Sequence, residues 1–554
     1  MFYRNILRGR RLQNIFHSVR PKKLSSLQLR SFSLIGRPTT QTRSRAILKS
    51  SSLLAGGSVL AALVSWSALD FSDGDISVKE VMLHNNVNDC WIVLNGEVYD
   101  VTSFIGNHPG GAARLLEVAG KDATNKFLQV HSPEVLDRMK GHLVYIGKLK
   151  GSFAHTISEE ELRIEEMKVK IPPIERIFNL SDFEAVAKQV LPKSTFTFYA
   201  TGSSDEFTLR ENHYAYGRVF FKPRILQDID PAEVDCSTTL LGAEVDAPFY
   251  ISGFAGSKLA HPLGERNLQV AAYNANVMEM VPKQNSYSPE EFYSTVPDDQ
   301  SQWMQYHFST PDEISRFNDI VKEAESRPSV KGIFFNVDLA DIGNREKDSR
   351  HRAIDVDNIS ELNAIVSNRM GQHPRFSWKD VEKIVSSTNL PVALKGVQRG
   401  EDVVLAAKKG VKAVVLSNHG GRQLDFSRPP LEVLAEANEM LKEQNMQDDI
   451  EIYLDGGVRR GSDIVKALCL GAKGVGLGRP FLYAMAGYGE EGVEHLITIL
   501  KEEIKNNMRL LGVRKIEELN ESFVDCNSLK FRVPRANDSL YDTAYVPLSF
   551  PEFR

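Results

Sequence analysis

Two histidines spaced 23 residues apart and a set of ionisable residues beyond position 330 mark where this sequence could do chemistry. His108 opens the run His108-Pro109-Gly110-Gly111, and His131 heads His131-Ser132-Pro133 after a stretch of helical pattern. Two neutral imidazoles held apart by a helix pair can ligate one iron from opposite faces, and the Pro and Gly after His108 would expose its ring on a tight turn. A lone His-Pro-Gly is an ordinary turn, so its weight comes from context. Farther along, Asp338, Lys395 and His419 each stand at or just past the end of a short apolar run, with His419 inside Ser417-Asn418-His419-Gly420-Gly421-Arg422. An imidazole beside a carboxylate such as Asp338 has its charged form favoured, which suits a base that must hold a proton. Arg345 and Arg422 offer forked donors for a substrate carboxylate and a developing oxyanion. Asp455-Gly456-Gly457-Val458-Arg459 and Gly478-Arg479-Pro480 combine backbone N–H groups with two guanidinium groups, the means of gripping a phosphate.

These residues need elements to position them. Beyond Asn179 short apolar runs alternate with helical stretches: Pro248 to Ser252, Val277 to Val281, Trp303 to His307, Gly332 to Asp338, Pro391 to Lys395, Ala413 to Ser417, Glu451 to Asp455, and Gly474 to Gly478. Eight such runs in about 230 residues predict an α/β fold, a TIM (β/α)8 barrel, whose active site lies at the C-terminal strand ends with phosphate held after strands seven and eight. An open doubly wound sheet would need a GxGxxG turn after its first strand, and none follows Ser252. Ahead of the barrel, residues 76–150 form a compact α+β segment. Trp91 to Leu94 and Val98 to Val101 read as strands joined by the hairpin turn Asn95-Gly96. The charged stretch Ser158 to Lys170 ends at Pro172-Pro173 and has too few apolar residues to pack alone, so 151–178 reads as a hinge or linker. The barrel domain takes 179–531, and the Pro-containing tail 532–554 is too irregular for a ninth unit.

Composition agrees with a globular chain and excludes a disordered or collagen-like one: 554 residues, 42% hydrophobic and 25% charged. The formal charge of -5 is unevenly spread. Residues 1–69 hold 12 of the 67 Lys and Arg and no acid, leaving 55 basic residues against all 72 acidic ones. The basic part is an address and not a nucleic-acid patch. Rich in Arg, Ser and Leu, it has the composition of a mitochondrial transit peptide. The apolar stretch Leu53 to Leu69, about 17 residues, is borderline for a membrane span. Its Gly and Ser content and the small residues Ser65, Ser67 and Ala68 favour a cleaved sorting signal, which places the mature chain in the intermembrane space and uses the membrane only during import. Retention as an inner-membrane anchor through 53–69 is the alternative. Cys90, Cys236, Cys469 and Cys526 lie far apart, without metal or disulfide spacing, and read as buried thiols.

Asp89-Cys90-Trp91, Tyr99-Asp100-Val101-Thr102, Phe104, the HPGG run and His131 together resemble the cytochrome b5 family over the whole segment. The resemblance implies a non-covalent haem b with His108 and His131 as axial ligands. Asp205 to Asn212 (DEFTLREN), Val414 to Asp425 (VVLSNHGGRQLD), Asp455 to Gly461 (DGGVRRG) and Gly476 to Tyr483 (GLGRPFLY) look like the FMN-dependent 2-hydroxy-acid oxidase and dehydrogenase family. That likeness implies an FMN-binding barrel in which His419 is the base, Asp338 its partner, Arg422 the carboxylate anchor and Arg345 an electrostatic stabiliser. It carries flavin contacts onto Ser252, Ala255, Gln305, Asn336, Lys395, Asp455, Gly456, Gly457, Arg459, Gly478 and Arg479, with Lys395 beside the ring's N1 and O2. It also implies oxidation of a 2-hydroxy acid, L-lactate to pyruvate, with electrons leaving through the haem to cytochrome c. A homotetramer wrapped by the C-terminal tails follows from the same likeness.

Departures cluster around the ring and substrate. Phe198 stands where a substrate-binding Tyr is usual, and His307 where a second active-site Tyr is usual; Phe254, Pro282 and Asn336 replace Thr, Ser and Thr. Losing one hydrogen bond to a charged carboxylate costs about 1.5–3 kcal/mol unless a neighbour such as His307 replaces it. The alternatives are therefore a dehydrogenase for a different 2-hydroxy acid, a cofactor-binding electron carrier without activity, and an oxygen-using oxidase.

Overall fold

A computed structural model of the chain describes residues 75–108, 112–128, 131, 135–136, 143–153, 158–353 and 375–531. The expected presequence, the Pro-Gly-Gly after His108, Ser132-Pro133 and the tail 532–554 lie outside them. Among the described residues no helix is long and apolar enough to cross a membrane.

In the first domain, strands Ile76–Ser77, Val144–Lys150, Glu97–Asp100, Asp89–Leu94 and Asn85–Asn86 lie side by side in that order. The expected hairpin is present: Leu94 pairs with Glu97 and Trp91 with Asp100, and Asn95 and Gly96 both take left-handed φ values of 54 and 80°. A two-residue turn with positive φ at both positions matches the twist of its strands, which is why Asn-Gly serves there. Alternation then sorts the side chains. Ile92, Leu94 and Tyr99 pack with Ile105, Leu115 and Ala119, while Val93 and Val98 join Val81 on the opposite face.

The charged stretch after this domain is not a free linker. Ser158 caps a helix, Glu159–Val169, through a capping box. Arg163 Nη1 and Nη2 donate to the carbonyls of Gln189 (2.6 Å) and Leu191 (3.0 Å), the Lys193 N–H donates to Glu160 (2.7 Å), and Ile164 is buried. The segment packs by docking on the helix Leu180–Val190, with Ile164 buried and Met167 against the core beside these hydrogen bonds. From 158 onward the expected hinge is part of the barrel domain.

All eight expected strands form: β1 Phe249–Ile251, β2 Met278–Pro282, β3 Gln302–Tyr306, β4 Val330–Asn336, β5 Val392–Val397, β6 Ala413–Leu416, β7 Glu451–Asp455 and β8 Gly474–Leu477. Each is parallel to the next, and β8 closes on β1 through Val475 opposite Phe249 and Leu477 opposite Ile251. The interior is a packed core. Tyr250, Met278, Met280, Trp303, Phe334, Val415 and Tyr453 fill it, with Trp303 in ring contact with Phe334 (4.5 Å), Tyr453 (4.9 Å) and Tyr250 (5.0 Å). The hairpin Thr238–Leu240/Ala243–Val245 adds Leu240 and Val245 to that core. Outward-facing strand residues such as Ile333, Leu394 and Val414 pack with the surrounding helices, which is why parallel strands read as unbroken apolar runs. Cys90, Cys236 and Cys469 are buried as expected, whereas Cys526 is half-exposed.

Candidate active site

Several strands end one or two residues before the sequence runs suggested, so Ser252, His307, Asp338 and Ser417 fall just past them, at the mouth. His419 follows β6 with φ of 59°, in the left-handed region that a non-glycine residue enters at a cost of about 1–3 kcal/mol. Two side chains hold it there. Ser417 Oγ accepts the His419 N–H (3.0 Å), and Asn418 Oδ1 accepts the Gly421 N–H (3.0 Å). Nδ1 of His419 lies 3.1 Å from Oδ2 of Asp338, across the mouth from the end of β4.

Burial alone would raise the carboxyl of Asp338, yet His419 and Lys395 outweigh it and hold the group below its ordinary value. Asp338 is therefore a carboxylate that accepts from Nδ1–H and leaves Nε2 as the ring's acceptor. For His419 the balance differs from the sequence expectation. Burial lowers its pKa, Asp338 pulls it back, and Lys395 and Arg345 push it down again, with a net fall below the ordinary value. The resting imidazole is neutral, as a base must be before it takes a proton.

Three buried guanidinium groups face this pair. Arg422 Nη1 donates to the carbonyls of Phe198 (2.8 Å) and Thr201 (2.9 Å), and Arg479 donates to those of Tyr199 (2.8 Å), Gly420 (3.0 Å) and Thr201 (3.1 Å). Arg345 is lowered to about 10 by burial and then by Arg479, and its Nε is buried without a hydrogen-bond partner. Burial and the other two arginines also depress Arg422. Like charges held together out of water are stabilised by an anion placed among them, so the cluster suits a carboxylate. Arg479 spends its donors on backbone carbonyls, and Arg459 Nη1 sits 3.1 Å from Glu184. Arg479 thus has partners on the chain, whereas Arg459 Nη1 is buried without a hydrogen bond, its one neighbour being the Glu184 ion pair.

The wall behind His419 is polar and almost wholly buried. Lys395 Nζ lies 3.1 Å from Asp455 Oδ2 and 3.3 Å from Ser417 Oγ, which itself donates to Asp455 Oδ1 (2.5 Å). Burial lowers the lysine, but Asp455 and Asp338 outweigh it and the ammonium stays charged. Ser252 Oγ, Gln305 Oε1 and both amide atoms of Asn336, at the ends of β1, β3 and β4, are buried without hydrogen-bond partners. Such orphans cost about 1–3 kcal/mol each, so their alignment along one mouth points to a polar ligand that satisfies them. The turn after β7 is pressed against the helix Phe207–Tyr216: a Cβ on Gly457 would stand 2.2 Å from the Asn212 carbonyl carbon.

The singled-out runs lock onto each other. Asp425 accepts from the N–H groups of Asp205 (3.1 Å), Phe207 (3.3 Å) and Thr208 (2.8 Å), capping that helix from a residue more than 200 positions away. Asn212 and Asn418 exchange amide hydrogen bonds of 2.7 Å in both directions. Gln423 donates to the carbonyls of Asp338 and Asp341 (both 2.7 Å), fixing the segment that carries the dyad's acid. Ser417, Gln423 and Asp425 lie inside the quoted run, but only their partners reveal what they do.

In the first domain the rings of His108 and His131 have centroids 6.1 Å apart, flanked by Phe104 and Phe127. With metal–nitrogen bonds of about 2 Å, two imidazoles on opposite sides of one ion place their centroids about 6 Å apart. Burial, with His108 adding, lowers His131 to about 4, so it is the neutral ligand that iron needs. The pair fits a haem iron. Arg114 of the same domain lies 5.8 Å from the ring centroid of Phe198, whose ring also meets the Arg422 guanidinium at 5.5 Å.

The family model for FMN-dependent dehydrogenases matches residues 187–526, the barrel and its mouth. The chain belongs to the FMN-dependent dehydrogenase family. A second family model, for the cytochrome b5-like haem/steroid binding domain, matches residues 77–150. The chain is 45% identical to an L-lactate dehydrogenase (cytochrome) of Wickerhamomyces anomalus, over 87% of this chain and 86% of that one. It is 43% identical to the L-lactate dehydrogenase (cytochrome) of Saccharomyces cerevisiae, over 93% and 91%. Among solved structures, the flavin-binding domain of baker's yeast flavocytochrome b2 superposes with a TM-score of 0.63 at 46% identity, covering 72% of this chain and 99% of that one.

For a member of the FMN-dependent dehydrogenase family the orphaned donors and acceptors at the mouth have an evident occupant. Ser252, Gln305 and Asn336 would offer hydrogen bonds to a bound flavin, and the charged Lys395 would favour its reduced, anionic form. FMN and haem fit the two sites. At the altered positions, Phe198 places its ring over Arg422 without a hydroxyl, and His307 is held at about 4 by burial and then by Lys283. His307 is therefore neutral at physiological pH, and its charge does not vary there.

Proposed function

We propose that this chain oxidises L-lactate to pyruvate at FMN and passes the electrons through haem b to cytochrome c. The observation that carries the reading is the joining, in one chain, of the His419–Asp338 dyad, the partly unpaired arginine cluster and the facing His108 and His131 rings. Arg422 and Arg345 receive the carboxylate and fix the 2-carbon near His419. Oxidising a secondary alcohol to a ketone removes two electrons and two protons, and Nε2 of His419 is the chain's acceptor for one proton. Asp338 then stabilises the imidazolium. FMN supplies a two-electron acceptor and haem b a one-electron relay.

The acid-free basic start and the apolar stretch 53–69 support import into mitochondria, with the mature chain in the intermembrane space where cytochrome c would meet it. The family likeness supports a homotetramer. Phe198 and His307 favour a second reading in substrate alone, a 2-hydroxy acid other than lactate. Steady-state reduction of cytochrome c by purified holoenzyme, run with L-lactate, glycolate and longer 2-hydroxy acids while oxygen uptake is followed, tests both. Lactate-dependent cytochrome c reduction without oxygen uptake is expected. Preference for another acid selects the second reading, and peroxide formation with an idle haem overturns the electron route.

A further inference from the structure

His307 follows β3 directly, and its Nε2 lies 3.0 Å from the side-chain Nε2 of Gln284, two residues past β2. An amide nitrogen only donates, so the ring nitrogen is the acceptor. Because the ring is neutral, its one proton is then on Nδ1. The segment carrying Gln284 is fixed at both ends. The Lys283 N–H donates to the Gln305 carbonyl (2.8 Å), and its Nζ donates to the His307 carbonyl (3.2 Å) and to Glu313 (2.7 Å). On the other side Ser286 gives its N–H (3.1 Å) and hydroxyl (3.0 Å) to the buried Glu265, which also takes the Ser257 N–H (3.2 Å) from the loop after β1. Between two such anchors the backbone at Gln284 is held beside His307, which leaves its amide within hydrogen-bond reach of the ring. The ring also lies within electrostatic reach of His419 and Asp338.

We propose that Gln284 is a positioning residue that sets the tautomer of His307, so that the ring offers an Nδ1–H donor to the carboxylate or hydroxyl of the bound acid in place of the phenol usual in the family. The inference rests on the reading that the mouth takes 2-hydroxy and 2-oxo carboxylates, and it adds a residue that neither motif nor family resemblance singles out. Without Gln284 the ring's proton is free to move to Nε2, and Nδ1 then turns a lone pair towards an anion.

The test uses holoenzyme and a probe that needs no turnover: the Kd of oxalate, read from its perturbation of the FMN absorption spectrum, together with KM and kcat for L-lactate. Gln284→Leu is expected to weaken oxalate about 3- to 10-fold, the worth of one hydrogen bond, and to raise KM by the same factor with kcat changed less than about twofold. Gln284→Glu should weaken it further, because a carboxylate draws the proton to Nε2. In a His307→Phe background Gln284→Leu should have no further effect, and His307→Tyr should restore affinity in the Gln284→Leu chain. Unchanged oxalate affinity in Gln284→Leu, or an effect that adds fully to that of His307→Phe, overturns the proposal. A wild-type enzyme that binds oxalate but does not oxidise lactate sinks the functional reading and leaves this cycle decisive. One that neither binds oxalate nor oxidises any 2-hydroxy acid overturns both.

Discussion

Gly396 and Asp338 are packed so closely that a Cβ on the glycine would lie 2.6 Å from both Cβ and Cγ of the aspartate. Gly396 lies within β5 with φ of 106°, a value open to glycine alone, and the space it leaves is what admits the acid from the end of β4 to the back of His419. Gly396→Ala should therefore push Asp338 off its 3.1 Å contact while leaving the strand in place. A misplacement of about 1 Å costs about 100-fold in rate. The expected result is a kcat lowered about 100-fold at unchanged FMN content, measured as turnover per bound flavin.

The dyad makes a prediction in pH. Activity needs neutral His419, so the acid limb of kcat/KM should lie below the ordinary histidine value of 6.5, because burial lowers this ring. Asp338 is the group that raises it, so Asp338→Asn removes that opposing pull. The limb should move to still lower pH even as the rate falls about 100-fold or more, the scale of positioned acid–base catalysis. An acid limb above 6.5, or one that moves upward in the variant, would contradict the electrostatic account.

Much of this was legible beforehand because parallel strands buried on both faces are short apolar runs, and all eight were visible for that reason. The hairpin at Asn95-Gly96 was equally plain, since few dipeptides accept two positive φ values. Strand ends were overrun by a residue or two at Asp338 and Ser417, whose side chains stay buried just past the barrel strands. Three things depended on contacts made across the fold. Asp425 caps a helix more than 200 residues away, Arg163 docks the supposed linker by bonding carbonyls at 189 and 191, and the fall in the His419 pKa comes from burial that only the closed barrel produces. The arginines illustrate the same limit: Arg479 and Arg459 were readable as cations at the right strand ends, but not as partners of Tyr199 and Glu184.

A buried carboxyl outside the active site gives a stability prediction. Glu279, on the outer side of β2, takes a 2.7 Å hydrogen bond from Gln302 and is raised from 4.5 to about 8, first by burial and then by Glu265. The folded chain keeps this proton up to about pH 8 while the unfolded chain loses it near 4.5. Stability must then fall as pH rises between those values and level off above them. Glu279→Gln removes the loss. It should match the wild type near pH 4.5 and exceed it at pH 8 by about 2–4 kcal/mol, read from denaturant unfolding at the two pH values.

Separating the two cofactor sites gives a prediction for the electron route. His131→Ala removes one face of the facing imidazole pair without touching the barrel. The variant should lose haem, keep FMN, keep substrate bleaching of the flavin at near wild-type rate, and reduce cytochrome c at least about 100-fold more slowly. The paired measurement of haem content and cytochrome c reduction decides it, and an undiminished rate would mean that electrons leave the flavin directly.

The central claim is the order of events in one chain: a 2-hydroxy acid gives its electrons to the flavin, and the haem receives them from there. Anaerobic stopped-flow mixing of holoenzyme with L-lactate, following both chromophores, tests it directly. The account predicts that flavin bleaches first and haem reduction follows, with His419→Gln slowing both at least about 100-fold. Haem reduction that precedes flavin bleaching, or two bound cofactors that both stay oxidised with lactate and with every longer 2-hydroxy acid, would contradict it.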